Sequence, residues 1–282
     1  MAVFGRLQFC LVVGVTTLSG FAAAQNAGKT ALSPLDISVG LVAVSAPEYE
    51  GSNKRKSALT PDIFISYRTS SYGTFAVGSK AKGVSWTPID YDDYSLGLSL
   101  GIDGGRADDK DGGGLRTGST RLRGMGEIKS SANISVFGQV KTDFPVSFAV
   151  IKNVGNGKVN SDRSVDGSGG TRLEVSIDVP RQISDKVALS FSPNIVWADR
   201  KYTQTYFGVT SRQATDSGFK AYNAKGGIKS IGIAVGANYR FTANWSANAG
   251  ILFDRLQGDA AKSPLVQTKN QISAAAGITH NF

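Results

Sequence analysis

Gln271-Ile272-Ser273-Ala274-Ala275-Ala276-Gly277-Ile278-Thr279-His280-Asn281-Phe282 ends the chain, and its pattern decides the fold. Ile272, Ala274, Ala276, Ile278, His280 and Phe282 share one face. Gln271, Ser273, Ala275, Gly277, Thr279 and Asn281 share the other. A period of two with one apolar side predicts a strand. Its length suits a tilted strand that crosses a bilayer. A half-buried strand of a soluble sandwich has the same alternation, so the rest of the chain must discriminate.

Residues 1–24 read as a secretory signal peptide. Arg6 supplies the positive start, an apolar run follows over residues 9–15, and Phe21-Ala22-Ala23-Ala24 offers a small-residue cleavage site before Gln25. That run is too short for a transmembrane helix, and no other apolar run approaches 18 residues. Cys10, the one cysteine, lies inside this leader, so residues 25–282 carry no disulfide or thiolate chemistry. A membrane protein without spanning helices crosses as a closed barrel, because lipid offers backbone groups no hydrogen bonds. The terminal Phe282 after an alternating strand is then similar to the signal by which outer-membrane barrels are recognised for insertion.

The pattern repeats along residues 25–282 and predicts an all-β transmembrane antiparallel barrel of twelve strands, with ten as the alternative count. Leu35-Ile37-Val39-Leu41, Leu59-Pro61-Ile63-Ile65-Tyr67 and Tyr94-Leu96-Leu98-Leu100-Ile102 each alternate against small or polar residues. So do Leu173-Val175-Ile177-Val179, Ile231-Ile233-Val235-Ala237-Tyr239-Phe241 and Trp245-Ala247-Ala249-Ile251-Phe253. Phe75-Val77 and Val84-Trp86 mark two short, weaker strands. Ile134-Val136-Val140, Val146-Phe148-Val150 and Val187-Leu189-Phe191 complete the set. Phe137 breaks its alternation and is expected in the lumen.

Connections alternate in length. Short ones fall at 69–72, 89–93, 143–145, 180–185 and 242–244; longer ones at 47–57, 106–130, 155–170, 201–229 and 257–270. The hairpin at 80–82 is the exception. Short periplasmic turns and long external loops are the asymmetry of outer-membrane barrels. An even strand count then puts both termini in the periplasm. Aromatics gather near strand ends: Tyr67, Tyr94, Tyr239, Phe241, Trp245 and Phe282 inside, Trp197 and Phe253 outside. Such belts mark membrane interfaces.

Thirty-four glycines, 41% hydrophobic residues and a net charge of +9 fit half-lipid-facing strands. An exported chain without a basic helix has no nucleic-acid signature; outer-membrane lipid and lipopolysaccharide are the expected counter-charges. Catalysis lacks equipment. His280, the one histidine, faces lipid by parity, so no general base serves a serine. No cofactor or metal motif is present. Asp108-Asp109-Lys110-Asp111-Gly112 resembles a calcium loop but lacks its ligand spacing and terminal Glu.

Parity aims Asp36, Asp62, Arg68, Asp103, Lys141, Arg172, Glu174, Asp178, Arg240 and Asp254 at the lumen. Both signs occur, as expected either of a pore lining or of charges paired between neighbouring strands. A filled or constricted lumen is favoured over an open one. Lys152, Arg200 and Arg255 sit toward external strand ends, where cations meet lipopolysaccharide phosphates.

Three loop motifs follow in order. Pro47-Glu48-Tyr49-Glu50-Gly51-Ser52 comes after the first strand. Tyr206-Phe207-Gly208-Val209-Thr210 comes later, and Gly258-Asp259-Ala260-Ala261-Lys262-Ser263-Pro264-Leu265-Val266 precedes the last strand. With Trp197 and Phe282 they resemble the MipA/OmpV family of outer-membrane proteins. Tyr49, Glu50, Gly51, Tyr206, Phe207, Gly208, Ser263 and Pro264 carry the likeness. The resemblance implies a non-enzymatic integral barrel of the outer membrane. The resemblance further implies a scaffold that joins a lytic murein transglycosylase to a murein synthase. A channel or small-solute transporter, or an adhesin, are the alternatives. The motifs fall on external loops, whereas murein enzymes lie on the other side, so they read either as loop packing or as a partner site.

Overall fold

Alternation becomes a closed wall. The computed structural model describes residues 34–81, 83–106, 122–126, 128, 130–154 and 169–282. The leader and the calcium-like stretch lie outside the described residues. Thirteen strand segments occur: β1 (Leu35–Pro47), β2 (Arg55–Arg68), β3 (Thr74–Gly78), β4 (Gly83–Asp90), β5 (Tyr94–Asp103), β6 (Ser131–Val140), β7 (Val146–Asn153), β8 (Thr171–Ile177), β9 (Val179–Gln182), β10 (Val187–Ala198), β11 (Gly227–Arg240), β12 (Trp245–Leu256) and β13 (Asn270–Asn281). β8 and β9 both pair with β10 and are one barrel strand interrupted at Asp178. Each strand pairs antiparallel with its sequence neighbour, and β13 pairs with β1. The result is a closed twelve-stranded antiparallel barrel, which leaves no sheet edge at its seam.

The outer face carries the apolar residues. Val39, Leu41, Ile63, Leu98, Leu100, Val150, Ile233, Val235, Ile251 and Ile278 are all exposed there. In water such a surface would aggregate; in lipid it is the spanning band. Aromatic rings edge it. Trp245, His280 and Phe282 form a run with ring centroids 4.7 Å and 4.4 Å apart. The Phe282 backbone N–H donates to the Ile37 carbonyl at 3.0 Å, so the last residue is pinned to the seam with β1. Phe137 lies on the lumen face, over Gly97 of β5.

The two ends differ. At one, residues 69–73, 91–93, 141–145, 183–186 and 241–244 make tight turns. At the other lie the longer connections and, among the described residues, three helices: α1 (Arg200–Phe207), α2 (Ser211–Ser217) and α3 (Gly258–Lys262). Several boundaries shift from the sequence expectation. Residues 180–182 are strand rather than turn, β4 runs on to Asp90, β2 begins at Arg55 inside the expected 47–57 loop, and β11 begins at Gly227 inside the expected 201–229 loop.

Candidate functional site

The described parts of the long loops pack against one another and against the barrel wall at this end. Helix α1 leads. Asp199 caps it by accepting the Tyr202 N–H at 2.7 Å, and also accepts the Thr171 N–H at 2.9 Å, tying the helix to the start of β8. Tyr202 and Tyr206, four apart, stack at 4.6 Å on one face. With Phe207 they are buried against Ala198 of β10, Leu256 of β12 and Ile128. Burying two tyrosines and a phenylalanine at a strand-lined mouth stabilises the cap by several kcal/mol, at about 1.5–3 kcal/mol per large apolar side chain.

The three sequence motifs meet there. Tyr49 Oη donates to the Leu265 carbonyl at 3.2 Å and accepts from Gln267 Nε2 at 2.9 Å. The Gly51 N–H donates to Gln271 Oε1 at 3.0 Å, and its carbonyl accepts the Gln267 N–H at 2.8 Å. Gly51 has φ +101°, and a Cβ on it would come within 2.7 Å of Val266 Cγ2. Only glycine fits this crossing of the first and last loops. Ser263 Oγ donates to the Phe207 carbonyl at 2.6 Å, joining the third motif to the second. A side chain on Gly208 would strike the Gln204 amide. Pro264 is half-buried between the buried Ser263 and Leu265. The motifs are therefore one packing unit.

Beneath this unit lies a buried charge junction. Glu50, from the first loop, forms an ion pair with Lys229 of β11. Tyr202 Oη donates to Glu50 Oε2 at 3.2 Å and accepts from an Arg172 nitrogen at 3.1 Å. Arg172 Cζ lies 5.0 Å from the Tyr202 ring centroid, and Lys229 Nζ lies 5.8 Å from it. Arg172 also stands 3.7 Å from Glu174. Burial by itself raises the Glu50 pKa, but Lys229 and Arg172 outweigh it and hold the carboxyl below its ordinary value. Burial pushes the Tyr202 and Tyr206 phenols well up, so both stay neutral.

Lys229 reaches the junction through a β-bulge. Val196 pairs with Ser230 and Trp197 with Ile228, leaving Lys229 as the extra residue of β11. Lys229 and Ser230 are both buried while Ile228 and Ile231 face outward. Without the bulge, simple alternation would put Lys229 on the lipid side with Ile231. Sequence reading missed both Lys229 and Tyr202 because it placed them in the expected 201–229 loop.

The other expected lumen residues scatter. Arg172 and Glu174 pair along one strand, not between neighbours. Asp254 lies on the lumen side of β12, where a Cβ on Gly232 would collide with its carboxylate. Asp178 is far from the junction, accepting from Ser192 Oγ at 2.7 Å and Ser147 Oγ at 3.1 Å. Arg240 sits at the short-turn rim, bonded to the Asp185 carbonyl. Lys152 and Arg255 are lipid-facing at the long-loop ends of β7 and β12. Arg200 is not on a strand; it opens α1 and contacts Asn223 at 3.2 Å.

This geometry defines a class: an outer-membrane β-barrel whose own loops fold across one mouth and lock to the wall. The chain belongs to the family described as MltA-interacting protein MipA, whose model matches residues 39–282. Comparison with curated proteins gives no match. Among solved structures, an outer membrane channel from Pseudomonas putida F1 is similar at TM-score 0.49 and 11% identity, covering 91% of this chain and 98% of that one. The translocator domain of the autotransporter NalP from Neisseria meningitidis gives 0.44 and 10%, covering 93% of each. A KdgM porin gives 0.40 and 9%, covering 87% of this chain and 99% of that one.

Proposed function

We propose that this barrel is a non-catalytic, non-conducting scaffold of the outer membrane. Its long-loop end faces outward, and its short-turn end presents a murein hydrolase and a murein synthase to each other. The observation that carries the reading is the buried Glu50–Lys229 pair under Tyr202. A loop that served only as a mobile rim would not bury an ion pair at the wall, because such a pair tolerates little movement before its desolvation goes uncompensated. The lock favours a fixed shape over a gate for solute flow. The family name supports contact with a murein enzyme. The motifs are occupied with one another, which leaves the short turns as the contact face. Lys152, Arg200 and Arg255 then anchor the outer rim to lipopolysaccharide phosphate. The test is capture of periplasmic extract on purified protein, followed by mass spectrometry. A lytic transglycosylase should be retained, and lost when residues 183–186 are replaced by glycine and serine. Equal capture by that variant, or retention of no murein enzyme, contradicts the scaffold.

A further inference from the structure

The wall is not equally high all round. β2 has 14 residues, but its neighbour β3 has five and β4 has eight. The β2–β3 ladder stops at Phe64↔Gly78. Among the described residues, no strand pairs with Arg55–Asp62 on that side. Across the gap, the β4–β5 ladder stops at Val84↔Leu100, while β5 continues to Asp103. Five residues span about 17 Å of strand, less than the apolar band of about 25 Å. The β3–β4 hairpin therefore leaves a notch in the long-loop half of the wall.

Its flanks are built for an open side. Leu59 on β2 and Ile102 on β5 are both 66% exposed, more than most other outward apolar side chains. Pro61 lies on β2 opposite Leu41. Counting the alternation from the Arg68 N–H to Pro34 bond puts its nitrogen toward the missing neighbour. A proline there forfeits no ladder bond.

The lumen behind the notch differs from the rest. Val42 and Val44 of β1 face inward, opposite Thr60 and Ala58 of β2 and Gly277 and Ala275 of β13. All six are half-buried and mostly apolar, on a face where a water-filled pore would carry polar groups. On β10 and β11, by contrast, the inward residues Ser190, Ser192, Asn194, Val196 and Ala234 are buried. The face of β13, β1 and β2 is thus part of the accessible interior. At the notch's lower lip, Lys80 bends inward, 3.1 Å from Ser38 Oγ and 5.1 Å from the Phe64 ring centroid. Lys56 stands at its upper edge, whereas Arg55 reaches the other way, donating to the Ser45 carbonyl at 3.0 Å and the Ile272 carbonyl at 2.7 Å; Asp62 accepts from Ser79 Oγ.

We propose that the notch is a lateral portal, and that the Val42–Val44–Ala58–Ala275 patch binds the acyl chain of an anionic amphiphile entering from the membrane. The hydrocarbon is what faces the gap, and Lys56 above it and Lys80 below it place positive charge within reach of a carboxylate or phosphate head. This goes beyond the scaffold reading and does not depend on it.

The test uses the cysteine-free mature barrel refolded in nanodiscs, with bimane on Ala58→Cys or on Ser176→Cys. Both face the lumen one wall thickness from lipid, but only Ala58 borders the notch. The quenchers are doxyl-labelled stearate and doxyl-labelled phosphatidylglycerol, in separate arms. Saturable quenching at 58 and little at 176 is expected, and Ala275→Phe should abolish it. Heat-modifiable migration checks that each variant folds; Val44→Gln replaces Ala275→Phe if that variant does not. Stearate alone quenching identifies a free fatty acid, and phosphatidylglycerol alone a phospholipid. Equal quenching at both positions, none with either probe, or quenching that survives a folded patch variant overturns the proposal.

Discussion

The wall from β8 to β12 and the wall from β13 to β3 are made from the same alternating strands, yet they hold different interiors. Against the first, α1 packs its tyrosines, Arg172 and Lys229 point in, and almost every inward side chain is buried. Against the second, small and apolar side chains remain half-exposed, and the wall itself drops at β3. The difference comes from two local departures from alternation. A bulge adds Lys229 to one wall, and a short hairpin removes height from the other. A barrel becomes specific where its repeat is broken.

The comparison breaks most readily at Glu50. Glu50→Ala leaves the Lys229 ammonium buried beside Arg172 without its partner, which costs about 3–5 kcal/mol if the junction carries the cap. Proteolysis of the long loops in membranes should accelerate strongly while the strands survive. Unchanged cleavage would mean the apolar contacts alone hold α1. Tyr202→Phe should have the next effect. It removes two hydrogen bonds to charged groups and keeps the ring stack, for about 2–3 kcal/mol. The same assay should rank it between Glu50→Ala and wild type.

Acid should act on the same wall in a narrower window. Glu50 has a lowered folded pKa, so its contribution is fully present above the unfolded value of about 4.3 and is lost as pH falls through the folded one. The cap should therefore stay protected at pH 5 and loosen only in stronger acid. Amide hydrogen exchange of residues 200–207 against pH reads this, with Glu50→Gln expected to lack the acid step. Loosening that begins near neutrality would point to another group.

The smallest effect on the cap is expected from deleting Phe282. Its ring joins His280 and its N–H closes the seam, far from the junction. Inserted barrel should fall in amount while the molecules that do insert keep a protease-resistant cap. Normal outer-membrane levels in the deletion strain would remove Phe282 from assembly.

Strand number, outward faces and the long–short rhythm were legible in the sequence because a period of two is a local property. The inward position of Arg172, Glu174, Asp178 and Asp254 was legible for the same reason. Lys229 was not: it fell inside the expected 201–229 loop, and its inward position depends on a bulge visible only against the partner strand β10. Tyr202 sits in an expected loop, and its burial depends on where that loop lands. The notch is a statement about pairing, and β2 reads as an ordinary strand until β3 is found to stop short. The short strands at 75–77 and 84–86 and the brief hairpin between them were legible, but not the height at which they leave β2 unpaired.

Closure of the barrel by its loops can be read as conductance. Purified protein reconstituted in planar bilayers should give no stable current steps at neutral pH, whereas Glu50→Ala should give frequent openings. Steady, salt-dependent single-channel currents from the wild-type barrel would contradict the account and favour a channel.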